Sequence, residues 1–473
     1  MADNKNSSGP RQAVVLIHGI GEQRPMETLR AFVAAFLDPG TFHSKPDTLS
    51  DTYEMRRLKL RKLVSSDPKV AANPDWPETD FYEYYWAHQM YGTTIAHIAS
   101  WLWRVLIQGV GVLRSGGPRV HKRLRWLVPA VWLFMLAGIT AALIFTVKQL
   151  TDPSPITVGV GIAVLVVVWG WLRGPLLGKL TDIAGDAARY FDINPKNITR
   201  RYDIIRGGID ILRKLHTEHD ARGDEVMYRY GRIVLVGHSL GSVIAYDILK
   251  HYWQEVNGKI KVDPEQFAAV ESFEGGNGLA PNPGLPAHQS DVKFRGDQHA
   301  AWLYLNREKP AGVTMRYQKD RDPPHDARWL ISDFVTLGCP MTYAPLLMAK
   351  GVEDLTSIIA LRELPTCPPD RSKHLNPGRF TVRLSAELER IVDFDILPQS
   401  AQFATVRWTN FFFHNDPIGG PLRPVFGAGV DDQELRGPTL RPITAHIGYW
   451  NKFKLKDSPR CVAHLEKILK NQL

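Results

Sequence analysis

The stretch VLVGHSLGSVIAYD, beginning at Val234, constrains this chain more than any other. An apolar run leads into Gly237-His238-Ser239-Leu240-Gly241, and an apolar-periodic segment follows. That order predicts strand, sharp turn and helix, the context in which a G-x-S-x-G match gains meaning. Ser239 is then either an exposed nucleophile or merely a small residue in a glycine-rich turn. Other segments alternate in the same way. Gln12–Gly19 reads as a strand, Met26–Leu37 as a helix ending at Pro39-Gly40, and Phe81–Ala87 as an aromatic strand. Thr199–His216 has helical spacing, Arg232–Val236 is a strand, and the helix after Ser239 runs to about Trp253. Strands are expected at Phe334–Leu337 and Val406–Phe413, and a last helix at Arg460–Leu469. This alternation predicts an α/β fold, a mostly parallel sheet with helices on both faces.

A serine attacks an acyl carbon only when a base takes its proton and donors hold the oxyanion. At a tight turn after a strand, the Ser239 hydroxyl would be exposed on a strained backbone, and Gly237 and Gly241 would remove colliding side chains. The following helix would aim positive potential at the site, and the Leu240 N–H would be one oxyanion donor. A second must come from the loop after the first strand. There LIHGIGEQ supplies His18-Gly19, with the Ile20 N–H pointing inward.

On the residues His18-Gly19-Ile20-Gly21 and Gly237-His238-Ser239-Leu240-Gly241, the chain resembles the lipase and esterase branch of the α/β-hydrolase superfamily. The likeness covers roughly residues 12–90 and 199–450. Its fragments FVTLGCPM, FFFHNDPIGGPL and AHIGYW look like GPI inositol-deacylase-like and DDHD phospholipase-like proteins. The chain lacks the Asp-Asp-His-Asp set of the latter, so their substrates are not carried over. The resemblance implies the chain order serine, acid, histidine. Asp416 in VRWTNFFFHNDPIGG follows a strongly β run and is the acid, with Asp431 or Asp432 as fallback; the bland alternative is an Asp-Pro turn residue. Only His446 and His464 follow it. His464 lies in the terminal helical pattern, so His446, on a loop beside aromatics and Gly448, is expected to be the base. His238 and His414 neighbour motif residues without the chain position of a base.

Between these blocks lies a very different stretch. Trp126–Val147, WLVPAVWLFMLAGITAALIFTV, has no charge. Its length of roughly 33 Å matches a hydrocarbon core of about 30 Å. Ile156–Leu172 is a second apolar run, extendable to Leu177 if Arg173 snorkels. The reading is a transmembrane hairpin, helices about 126–147 and 156–177, against the alternative of a buried core helix and strand. Arg114, Arg119, Lys122, Arg123 and Arg125 precede the first run, and Arg173 and Lys179 follow the second. The positive-inside rule therefore predicts an integral membrane protein with its catalytic domain in the cytoplasm. Upstream, His97, Arg104 and Gln108 share one face of an amphipathic helix expected over about 91–113.

The net charge of +9 is concentrated beside that run, which favours anionic lipid over nucleic acid. No nucleic-acid-binding motif, metal-ligand spacing or phosphate loop is present, so no cofactor or metal is expected. Three scattered cysteines give no disulfide framework. The expected organisation is an α/β domain in two parts, residues 1–90 and 199–473, around a membrane insertion at 91–198. Residues 257–326, rich in Gly, Pro and polar side chains, read as a lid or a loose excursion. The expected activity is cleavage of a carboxylic ester, of a lipid or another acylated amphiphile, by an acyl-enzyme route. The rivals are a non-catalytic membrane scaffold, or a thioesterase or peptidase on the same fold.

Overall fold

Every residue of Ala13–Ile17 is buried, yet alternate residues belong to two different hydrophobic clusters. That division is why β1 (Arg11–Ile17) reads as an unbroken apolar run: it is covered on both faces. In the computed structural model, the residues described are 11–19, 24–38, 40–46, 49, 56–60, 76–89, 107–114, isolated positions between 125 and 147, 189–191, 195–222, 225–260, 287–306, 315–316, 328–369, 379–382, 392–395, 399–437, 442–450 and 456–472.

The strands after β1 are β2 (Phe42–Pro46), β3 (Arg56–Leu60), β4 (Thr79–Tyr84), β5 (His219–Arg222), β6 (Glu225–Tyr228) and β7 (Tyr230–His238). They are followed by β8 (Met315–Arg316), β9 (Ile331–Leu337), β10 (Arg379–Val382), β11 (Val392–Asp395), β12 (Arg407–Phe413) and β13 (Asp431–Leu435). Eight of them form one mixed sheet, in the order β13-β12-β9-β7-β1-β4-β3-β2. The six strands from β13 to β4 run parallel, and β3 is antiparallel to both neighbours. β5, β6 and β8 make a second small sheet, and β10 pairs with β11. The chain is therefore α/β, with a mostly parallel sheet at its centre.

Helices cover both faces. Ala13, Val15, Ile17, Ile233 and Leu235 pack with Val243, Ile244 and Ile248 of the helix Leu240–Val256, and with Ile204 and Leu212 of the helix Pro195–Thr217. On the other face, Val14, Leu16, Val234 and Val236 meet Leu29 and Phe32 of the helix Glu27–Val33 and Leu465 and Ile468 of the helix Ser458–Leu469. Each such aliphatic side chain contributes about 1.5–3 kcal/mol through burial.

Strand order positions the site. From β1 the chain crosses to the β2 edge and returns through β3 to β4, on one side of β1; from β7 it moves the opposite way through β9 and β12 to β13. The reversal falls between β1 and β7, and in open α/β sheets ligands bind beyond the carboxyl ends of strands at such a point. β1 ends at Ile17 opposite Gly237, and β7 ends at His238 opposite Leu337 of β9.

Several expectations need correction. The segment 257–326 is not wholly a loop: it contains the helix Ala287–Leu305, while 261–286 lie outside the described residues. Phe294, Gln298, Ala301 and Trp302 face the core from that helix at helical spacing, and the polar residues between them obscure the pattern in sequence. The strand predicted at Phe81–Ala87 begins at Thr79 and stops at Tyr84, followed by a 3-10 turn at Ala87–Gln89. The helix predicted to Leu37 ends at Val33.

No helix among the described residues is long and apolar enough to cross a membrane. The second predicted span, 156–177, lies outside the described residues. The first, Trp126–Val147, is described at isolated positions, each helical, as are residues 107–113 of the predicted amphipathic helix. Leu133, Leu136, Leu143 and Val147 on that first stretch are each more than half exposed. Its foot is anchored: Val128 and Trp132 pack with Val112, Tyr343, Leu346 and Val352.

Candidate functional site

Ser239 sits between β7 and the helix Leu240–Val256 with φ 53 and ψ −128, a backbone region that side chains other than glycine rarely occupy. The turn is locked from both sides. The Ser239 N–H bonds the Leu337 carbonyl at 2.9 Å, and the Ser242 hydroxyl donates to the Gly237 carbonyl at 2.8 Å. There is no room for larger residues in the motif. A Cβ on Gly237 would lie 2.5 Å from Ser242 Cα, and one on Gly241 would lie 2.3 Å from the carbonyl oxygens of Ile17 and His18. Gly241 thus lets the helix begin directly against the end of β1.

Three side chains named from sequence come together here. His446 Nε2 accepts from Ser239 Oγ at 2.8 Å. His446 Nδ1 donates to Asp416, 2.9 Å from Oδ2 and 3.1 Å from Oδ1. All three are buried. Asp416 follows β12 as expected, whereas His446 ends a short helix, Pro442–His446, rather than lying on a loop.

Asp416 has further support that sequence reading missed. The Tyr449 hydroxyl donates to Oδ2 at 2.5 Å and the Ile418 N–H to Oδ1 at 2.9 Å. Burial alone would raise the carboxyl's pKa; His446 and these two donors outweigh it and bring the group down to about 2. Tyr449 shifts well above the usual tyrosine range, through burial and the adjacent carboxylate, so it stays a donor. Gly338, just after β9 at φ +61, is close against the same groups: a Cβ there would be 3.0 Å from Asp416 Oδ2 and from His446 Nδ1. Tyr449 stands three residues beyond His446 in AHIGYW, and Gly338 lies in FVTLGCPM, so those two fragments were the available signals.

The loop after β1 is held by His18. Its Nδ1–H donates to the Gly19 carbonyl at 2.7 Å, its Nε2 accepts from the Trp86 N–H at 3.3 Å, and its ring stacks on Trp86. The Trp86 indole N–H donates to the His18 carbonyl at 2.9 Å. Burial drives the His18 pKa down to about 4, leaving the ring neutral. Gly19 lies over the serine, where a Cβ would approach Ser239 Cβ to 2.9 Å. Ile20 and Gly21 lie outside the described residues. Leu240 is the first helical residue, and an N–H there has no partner within its helix.

The fallback residues are elsewhere. Asp432 accepts from the Leu422 and Arg423 main-chain N–H groups, Asp431 pairs with Arg295, and the His464 ring packs edge-on against Phe411. His414 pairs with Glu434 at the surface. Among the described residues no cluster of three His, Cys, Asp or Glu could hold a metal ion, and Cys339, Cys367 and Cys461 are free and buried. Comparison with protein-family models, curated proteins and solved structures gives no match to this chain.

Proposed function

We propose that this chain is a serine hydrolase of α/β-hydrolase type that cleaves carboxylic esters through an acyl-enzyme, with Ser239 as nucleophile, His446 as base and Asp416 as its orienting acid. The observation that carries the reading is the continuous hydrogen-bonded path from Ser239 Oγ through His446 to Asp416, on a nucleophile held at positive φ.

The proposed steps use this geometry. His446 Nε2 takes the hydroxyl proton as Ser239 Oγ bonds the acyl carbon, and Asp416 stabilises the imidazolium that forms. The oxyanion is held by the Leu240 N–H at the helix N-terminus, with a second donor expected from Ile20. Collapse of the tetrahedral adduct breaks the ester C–O bond, and the leaving alkoxide takes the proton from Nε2. Water, deprotonated by the same nitrogen, then attacks the acyl carbon and frees Ser239.

A lipid or other acylated amphiphile at a membrane surface is the substrate class this arrangement favours. The exposed stripe Leu133, Leu136, Leu143 and Val147 suits insertion into lipid, and Ile447, next to the base, is also exposed. The foot of that stripe packs on Tyr343, whose hydroxyl donates at 3.0 Å to the Pro417 carbonyl beside Asp416. An apolar stem rooted beside the acid would bring the mouth of the site to the bilayer, with the 126–147 and 156–177 segments as the anchor and the catalytic domain on the cytoplasmic side.

The test is covalent labelling with a fluorophosphonate probe, followed by turnover of phospholipid, p-nitrophenyl ester, acyl-thioester and peptide substrates. Labelling of the wild-type protein that is lost in Ser239→Ala, with the ester substrates turned over fastest, is the expected result. A folded wild-type protein that takes no label would refute the hydrolase reading.

A further inference from the structure

His238, immediately before the serine, is also buried and takes no part in the steps above. Its ring packs between the rings of His446 and Trp450, with centroids 5.1 Å and 4.9 Å away. Its Nε2–H donates to the main-chain carbonyl of His446 at 2.9 Å. That carbonyl closes a five-residue helix, where the last C=O groups have no helical partner. The donor on His238 therefore satisfies an acceptor that this short helix leaves open.

This bond also fixes the state of the His238 ring. With the proton on Nε2, Nδ1 carries only a lone pair; it is buried, has no hydrogen-bond partner among the described residues, and faces Gly19, where a Cβ would sit 3.0 Å away. Burial first, and then the neighbouring His446, push the His238 pKa down to about 3. A neutral ring so close to His446 adds no positive charge to oppose the imidazolium formed during acyl transfer.

We propose that His238 is a positioning residue: its Nε2–H pins the main chain at His446 and thereby keeps the base's own Nε2 in register with Ser239 Oγ. This rests on the reading of Ser239 and His446 as nucleophile and base. A side chain on β7, rigid within the sheet, thus sets the position of a base carried by a segment that follows β13.

Two measurements on the full chain test the idea. One is the fluorophosphonate labelling rate of Ser239; the other is hydrogen exchange in peptides covering 442–450, which does not depend on activity. His238→Phe and His238→Met remove the donor with different volumes, so either can serve if the other fails to fold. His238→Gln keeps an amide N–H. The labelling rate should fall by about 10- to 100-fold in the donor-less variants and return to within about threefold of wild type in His238→Gln, because small misplacements of a catalytic group are costly. Exchange at 442–450 should rise in the donor-less variants and be restored by glutamine. Unchanged exchange and labelling without the donor, or a glutamine variant no better than phenylalanine, would overturn the proposal. If the wild-type protein takes no label, the hydrolase reading fails, and the exchange data alone decide whether His238 pins the chain.

Discussion

Two buried aspartates sit at opposite ends of the central sheet, and they are held in opposite ways. Asp333, on β9 near its amino end, receives Arg232 at 2.6 Å and Arg407 at 2.8 and 3.0 Å. Asp416, beyond the carboxyl end of β12, receives an imidazole, a phenol and a main-chain N–H. Both carboxyl groups are shifted below the ordinary range against the opposing effect of burial. A guanidinium carries its charge at any physiological pH, so the Asp333 cluster is permanently charged on both sides. An imidazole becomes charged only when it takes a proton. On the proposed mechanism Asp416 would meet a charge that arrives during reaction, whereas Asp333 answers one that is always present. A buried carboxylate reads as structural or chemical according to whether its partner can change state.

The Asp333 end also ties the chain together. Arg232 and Gln12 donate to the carbonyls of Ile468 and Leu469, at 2.9 and 3.0 Å, joining β7 and β1 to the last helix. Arg232 further donates to Ser332 Oγ at 2.7 Å.

The contrast can be broken by substitution, and the largest effect belongs to the reactive end. Asp416→Asn should leave the fold intact while kcat for a p-nitrophenyl ester drops by about 10⁴-fold, as expected when the base loses its orienting carboxylate. Equal activity would put Asp416 in the same structural class as Asp333. The reverse is expected for Asp333→Asn: two buried guanidiniums lose their counter-charge, and urea denaturation should show a loss of about 3–5 kcal/mol, with little change in kcat of the folded fraction. Acid titration separates the two more finely. Since the Asp416 pKa falls from 3.8 to about 2 on folding, its contribution is complete above about pH 4 and is lost as pH falls toward 2. That contribution, on the order of 2 kcal/mol, should be missing from the stability–pH curve of Asp416→Asn over that window. The smallest change is Tyr449→Phe. Removing one hydrogen bond to the Asp416 carboxylate should lower kcat about fivefold, measured on the same ester.

Much of the Ser239 end was legible in the sequence because its constraints are local. Glycines two residues either side of Ser239 mark a turn with no room for side chains, and the apolar runs flanking it name the strand and the helix. Asp416 and His446 followed from chain order once Ser239 was taken as nucleophile. What escaped was set by partners distant in the chain. The edge strands β2 and β3 (FHSKP and RRLKL) carry charges because they lie at the sheet margin, where polar side chains discourage pairing with another chain. The helix Ala287–Leu305 hides its core-facing residues among polar ones. Arg232, Asp333 and Arg407 look like ordinary surface charges until β7, β9 and β12 are placed side by side. His238 could be seen as part of a motif, but its bond to the His446 carbonyl spans 208 residues and leaves no local signature.

That remoteness has a consequence for the order in which the protein is made. His446 lies 207 residues beyond Ser239, so at ordinary elongation rates Ser239 leaves the ribosome about 10–40 s before His446 does. On the proposed mechanism, the nascent chain would carry throughout that interval a serine without its base. If Ser239 and His446 act together as proposed, competence would come only once the segment around His446 has been made and docked against β7.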